Sequence, residues 1–257
     1  PTVFVVTSIR DDGPSLPVGT VPVELMNLAG LPAEAALEVA TLAGVDSARA
    51  QALVTESGGN PQLLLQLLES AGEGEVTVDG LWRRKIARLD EPARAVLEVI
   101  SISAGPIDGQ LALEVANVHQ NQADLIPQLE NASLVRLLPD EKRLEAWHER
   151  LRATIASGVE LARTRALHER LAKALESRAD ADLDAVSFHY SAAGFGDRAA
   201  ESTIKAATRA REQLAFARAA GLYRRALELL PLDDQRRFDL AVSLADSLAN
   251  AGQGKDA

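Results

Sequence analysis

The sequence predicts a mainly α-helical chain, and three observations carry that expectation. Alanine, leucine, glutamate and arginine dominate while aromatic residues make up only 4% of the 257 residues, a composition of strong helix formers. Apolar residues recur at three- and four-residue spacing through most of the chain, the signature of helices with one buried face. After the first few residues, strand-like runs of Val, Ile, Thr and Tyr are scarce.

The chain opens on "TVFVVTSIR", an apolar run of buried-strand type with no evident partner strand. Such a strand belongs in a parallel sheet, so it is expected to be the residual edge of a larger α/β domain. A turn-rich stretch, "DDGPSLPVGTVP", follows. Pro32 then sits at a helix start, with Ala35, Ala36, Val39, Ala40 and Leu42 on one apolar face. Residues 46 to 55 predict a second short helix. In "SGGNPQLLLQLLE", residues 57 to 69, Gly58 and Gly59 end what precedes and Pro61 suits a first helical turn, where its missing N–H costs nothing. Leu63, Leu64, Leu67 and Leu68 form the buried stripe of this third helix. "SAGEGEVTVDG" reads as a loop carrying a short strand.

From about residue 81 the rhythm changes. "EPARAVLEVISIS" predicts a helix with Pro92 in its first turn, "DGQLALEVAN" a helix capped by Asp108, and "NQADLIPQLENA" a third. "SLVRLLPDEKRLEAWH" alternates around the turn residues "PDEK" and predicts two short strands. Three helices followed by a hairpin is the winged-helix order. "ERLRATIASG" and "LARTRALHERLAKALES" predict two further helices.

From about residue 182 the chain reads as helices joined by tight turns, with a repeat signal. "ARAAGLYRRALELLP" places Ala219, Tyr223, Ala226 and Pro231 at the offsets of the second helix of a tetratricopeptide repeat: small, aromatic, small, terminating proline. Upstream, "FHYSAAGFGDRAA" places Tyr190, Gly194 and Ala199 similarly. Downstream, "LADSLANAGQGKDA" puts Leu244, Ala245 and Leu248 on one face, with Gly252 at the turn and Ala257 at the next small position. The helix from about 197 to 213 departs from the pattern, with Ala206, Ala207 and Ala210 where larger residues are usual. The expected organisation is a sensor strand and helical lid over residues 1–75, a winged helix with two following helices over 76–180, and tetratricopeptide-like repeats over 181–257, both ends being cut from a longer protein.

The formal net charge is -10 and there is no cysteine. The overall field repels nucleic acid and anionic membranes, and disulfides, thiolate metal sites and a thiol nucleophile are excluded. No apolar run approaches the ~20 residues that cross a bilayer. A cytoplasmic protein without membrane partners is expected.

The order of strand ending in arginine, helical bundle with "GGNP", winged helix and repeats resembles the C-terminal half of a signal-transduction ATPase with numerous domains, the STAND class within the AAA-related P-loop NTPases. The resemblance covers nearly the whole chain and rests on order and spacing, since its motifs are short. It implies three nucleotide-facing residues. "VFVVTSIR" resembles the sensor strand, with Arg10 where the class places an arginine toward the phosphates, a job suited to a planar guanidinium fork. "GGNP" resembles the Gly-x-Pro motif of the lid, with Pro61 near the adenine and ribose. "AWHER" resembles the Met-His-Asp motif, whose histidine reaches the β-phosphate of ADP; Trp147 and Glu149 replace the Met and Asp, so only His148 carries over. Each has a structural alternative: an arginine leaving a strand for solvent, a helix-start proline, and a histidine capping or packing at a strand-to-helix junction.

The segment from "EAWHERL" to "RRALELL" is also similar to the ATPase and repeat region of large bacterial serine/threonine protein kinases, and to related transcription activators and nucleotide cyclases. No GxxxxGK[ST] loop, acidic Walker B strand or kinase HRD or DFG motif is present. Catalytic residues are therefore none here: ATP or ADP, with Mg²⁺, would bind in the complete parent. His119, His168 and His189 are scattered without metal spacing and read as structural, and no metal site is indicated. The resemblance implies a nucleotide-biased switch, a protein or small-molecule ligand at the repeats, and a nucleotide-driven homo-oligomer. A helical scaffold without a nucleotide role is the alternative. A DNA-binding winged helix is the other, and is disfavoured because residues 108 to 132 contain Asp108, Glu114, Asp124 and Glu130 but no Lys or Arg.

Overall fold

The computed structural model describes residues 29–70, 77–118, 124–139 and 142–253. Arg10 and the opening strand, His119 and Ala257 lie outside them. The chain divides into two compact units, residues 1–76 and 77–257, and among the described residues it is mainly helical, with one small sheet.

Among the described residues the first unit is a three-helix bundle: α1 (Ala33–Leu42), α2 (Ser47–Ser57) and α3 (Pro61–Glu69). Each packs on the other two, through Ala36 and Ala40 of α1, Ala50, Leu53 and Val54 of α2, and Leu63, Leu64 and Leu67 of α3. The alanines let α1 approach closely. Asp46 caps α2 by accepting from the Arg49 N–H at 3.1 Å. Leu42, expected on the apolar face of α1, is instead 82% exposed. The buried stripe runs through residues 36 and 40, and a residue two positions further on lies on the opposite side of a 3.6-residue turn.

The second unit opens with α4 (Val78–Ala87), which begins at the end of "SAGEGEVTVDG", the stretch read as a loop carrying a short strand; residues 71–76 of that stretch lie outside the described residues, and Val78 to Gly80 are helical. Thr77 caps it, its hydroxyl accepting from the Gly80 N–H at 3.0 Å, and Val78, Leu81 and Trp82 are buried. The β-branched pair Thr77-Val78 reads as strand locally, but a threonine cap and one buried face decide for helix.

Helix α5 (Glu91–Ile102) is buried nearly all round from Ala93 onward. The chain then runs through β1 (Ile107–Asp108), α6 (Gly109–Val115), α7 (Leu125–Asn131), β2 (Val135–Leu137), β3 (Arg143–Ala146) and α8 (Glu149–Gly158). α5 packs against α6, α7, β3 and α8. The strands form an antiparallel sheet of order β1-β3-β2, with Ile107 opposite Leu144 and Val135 opposite Ala146. The β2–β3 pairing is as expected; β1 has no local signal and forms where β3 offers it a ladder. Asp90 and Asp108 cap α5 and α6 as acceptors from the Ala93 and Leu111 N–H groups.

The unit continues as successive helices, α9 (Leu161–Glu176), α10 (Leu183–Ala193), α11 (Gly196–Glu212), α12 (Phe216–Leu229) and α13 (Arg236–Asn250), each packed on the next. The repeat is visible in the core: Val186, Tyr190 and Ala193 of α10 are buried, and so are Ala219, Tyr223 and Ala226 at the same offsets in α12. Ala206, Ala207 and Ala210 are buried against them, so small residues on α11 bring it close to α12. Tyr190 is held from three sides. Its hydroxyl donates to Glu176 at 2.6 Å and accepts from Arg198 at 2.9 Å, while that guanidinium lies 5.0 Å from the ring centre. Burial and the Glu176 carboxylate push its phenol up to about 12. The fold is thus a helical bundle followed by tetratricopeptide-like α-hairpins.

Candidate functional site

The "GGNP" stretch is explained locally in full. Gly58 ends α2 in the left-handed region (φ 55°), and Gly59 follows at φ 80°. The Asn60 side chain caps α3, accepting from the Gln62 and Leu63 N–H groups at 3.0 and 3.1 Å. Pro61 begins the helix with its ring exposed. The Gly59 carbonyl accepts from the Leu31 N–H at 2.7 Å, and a Cβ on Gly59 would stand 3.0 Å from the Leu31 carbonyl oxygen. Glycine is required there both by φ and by the neighbouring backbone. Gly59→Ala is expected to destabilise the first unit by about 1–3 kcal/mol, read as a lower urea midpoint; an unchanged midpoint would show that the loop can relax.

His148 sits where β3 hands over to α8. The Trp147 N–H donates to the Leu134 carbonyl at 3.0 Å, fixing the chain as it leaves the sheet. His148 has extended backbone (φ -147°, ψ 142°) and is the N-cap of α8, its Nδ1 accepting from the Arg150 N–H at 3.2 Å. A neutral imidazole with Nδ1 as acceptor carries its proton on Nε2. The exposed ring therefore offers an Nε2–H donor beside the first turn of a helix, the end favourable to anions. Beneath it lies the buried indole of Trp82, with ring centroids 6.0 Å apart.

The surrounding charges brace this junction. Arg150 pairs with Asp79 of α4 at 3.0 Å, and Thr154 Oγ1 donates to the same carboxylate at 3.3 Å, tying α8 to α4. Glu149 holds Arg152 through two bonds at 2.8 and 2.6 Å, and Arg152 also reaches the Ser101 carbonyl of α5 at 3.3 Å. The Arg152 hydrogen bond lowers the Glu149 carboxyl from its ordinary value.

Of the three residues implied by the resemblance, Arg10 lies outside the described residues, Pro61 belongs to the first unit and His148 to the second. The Trp82 floor and the Asp79–Arg150 brace were not legible in the sequence. Nor was the meeting of His168 and His189, whose Nδ1 atoms lie 2.8 Å apart in the buried α9–α10 interface. Among the described residues no group of three His, Asp or Glu could hold a metal ion, and no helix is long and apolar enough to cross a membrane.

The chain matches no protein-family model. No curated protein matches it either. Among solved structures it is similar to a signal transduction ATPase with numerous domains (STAND) protein with a tetratricopeptide repeat sensor from Pyrococcus horikoshii, at 15% identity and a TM-score of 0.49. The similarity covers 87% of this chain and 39% of that one, so this chain spans well under half of that protein's length.

Proposed function

We propose that the chain is a regulatory module of a nucleotide-dependent signalling ATPase of the STAND class, in which His148 reads the phosphates of bound ADP and the repeats bind a protein or small-molecule ligand. One observation carries this reading: capping of α8 takes Nδ1 of His148 and leaves an exposed Nε2–H donor at a helix N-terminus, a pairing suited to a phosphate oxygen. The arrangement of α5, β1, α6, α7, β2 and β3 supports the winged-helix part, and the offsets shared by α10 and α12 support a repeat surface for a partner.

The residues present fit the edge of a nucleotide rather than the whole of it. The Nε2–H donor of His148 would contact a phosphate oxygen; the roles of Pro61 at the base and of Arg10 at the phosphates are what the resemblance implies. The phosphate loop and the Mg²⁺ ligands are not encoded in these 257 residues. Bound nucleotide supplies phosphate charge. The chain's own part is to hold one hydrogen-bond donor in a fixed tautomer and to favour the arrangement in which that donor is used. A ligand at the repeats that prefers the other arrangement would then weaken ADP binding by the same factor as ADP weakens its own. A bacterial serine/threonine kinase is the parent that the similarity of residues 145–230 favours, and nucleotide-driven assembly is its expected consequence.

The test is ADP affinity by calorimetry on the full gene product, wild type against His148→Ser. Serine keeps the cap on α8 but cannot reach outward. Loss of a hydrogen bond to a charged phosphate predicts about tenfold or more weaker binding with an unchanged unfolding midpoint. Equal affinity would leave His148 as a helix cap and the chain as a helical interaction scaffold.

A further inference from the structure

A cleft of about 710 Å³ lies in the second unit between the first turns of α5, the C-terminal end of α6 and one face of α9. Its volume is within the range of small-molecule sites, ~300–1,000 Å³. The α9 wall is a stripe at helical spacing, Arg163, Ala166, Leu167 and Arg170, and Pro92 and Ala95 face it from α5. The interior is chiefly apolar, so its two arginines decide what it can hold.

They are not equivalent. Arg163 is already matched: its Nε donates to the buried Glu98 carboxylate at 2.6 Å, and its terminal nitrogen lies 3.4 Å from Glu91. Arg170 has no carboxylate partner among the described residues. One of its terminal N–H groups donates to the Val115 carbonyl at the end of α6, and its buried Nε has no acceptor. Burial and the neighbouring charge of Arg163 both lower its pKa, as expected of a cation without a counter-charge. Closing α6 uses one of the five guanidinium donors. The rest of the fork is unmatched in a partly buried, ligand-sized space.

We propose that this cleft binds a monoanionic carboxylate carried on an apolar body, with Arg170 as its anchor. The apolar walls take the body, and a guanidinium fork takes a carboxylate in bidentate fashion. The charge limit follows from the pairing: Glu91 and Glu98 are both taken by Arg163, so Arg170 alone is left to match an added negative charge, and a second would be unmatched and face those two carboxylates. A free carboxylic acid and the C-terminus of an apolar peptide share this chemistry. The site is independent of any nucleotide role of His148.

The experiment is a titration of the 257-residue chain, followed by NMR, with 3-phenylpropionate, 3-phenylpropionamide, and acetyl-Ala-Leu as free acid and as amide. At least one acid is expected to bind saturably while its amide does not; the free acid alone, or the peptide alone, identifies the source. Arg170→Met should weaken the acid about tenfold or more. Ala166→Phe, at an exposed helix position, should block the cleft with every charge in place. Thermal melts confirm that each variant is folded, and the acid–amide comparison on the wild type does not depend on them. Equal binding of acid and amide, no saturable binding up to about 10 mM, or unchanged affinity in folded Arg170→Met would overturn the proposal.

Discussion

Replacement of Trp82 by alanine is expected to destabilise the second unit by about 3–5 kcal/mol, the range for truncating a large buried aromatic. Trp82 is only 1% exposed and lies on α4, the helix that opens this unit. Its indole also forms the floor beneath His148. The loss therefore combines removal of apolar area from the core with a cavity under the β3–α8 junction, where the Arg150–Asp79 pair and the Thr154 hydrogen bond would still brace α4 against α8. That pair is partly exposed and contributes little by comparison. Urea denaturation followed by far-UV circular dichroism measures the effect. Trp82→Phe, which keeps a ring, should cost markedly less. A loss below about 1 kcal/mol for alanine would mean that the neighbouring side chains collapse into the space.

Mild acid is expected to weaken the α9–α10 hairpin through His168 and His189. Their Nδ1 atoms share one hydrogen bond at 2.8 Å, so one ring donates and the other, which accepts, is neutral. Burial, with the neighbouring His168 adding to it, lowers His189 to about 4; burial also lowers His168. The folded value lies below the ordinary value near 6.5. Between those two pH values the unfolded chain binds more protons than the folded one, so stability is full above pH 6.5 and falls as the pH drops toward 4. Between pH 7 and pH 5, His189 alone should remove about 1–2 kcal/mol. The sign would be reversed for a histidine paired with a carboxylate. Unfolding midpoints at the two pH values, wild type against the His168→Gln/His189→Gln double variant, measure it. The double variant should show a flatter dependence over this window; an equal slope would assign the acid sensitivity to other groups.

Much of the fold was legible because its signals are local. Asp108 caps the helix that its position predicted, Pro61 and Pro92 fall in first turns, and β2 and β3 flank their turn. Each of those features is decided by residues within one or two turns of each other. The misreadings share the opposite property. α4 needed Leu81 and Trp82 to find a core before its helix outweighed the strand propensity of Thr77 and Val78. Leu42 is apolar, yet its place on α1 points away from the bundle.

By itself the sequence determined a mainly helical chain, the repeat signal around Tyr190 and Tyr223, and the residue types at the "GGNP" turn and the α8 cap, because periodicity, caps and glycine conformations act over a few residues. Only the tertiary structure decided which distant residues meet: His168 with His189 across 21 positions, Trp82 beneath His148 across 66, and Arg170 with the end of α6 across 55. Those meetings depend on how helices pack rather than on whether they form, and packing is set by side-chain shape along entire faces.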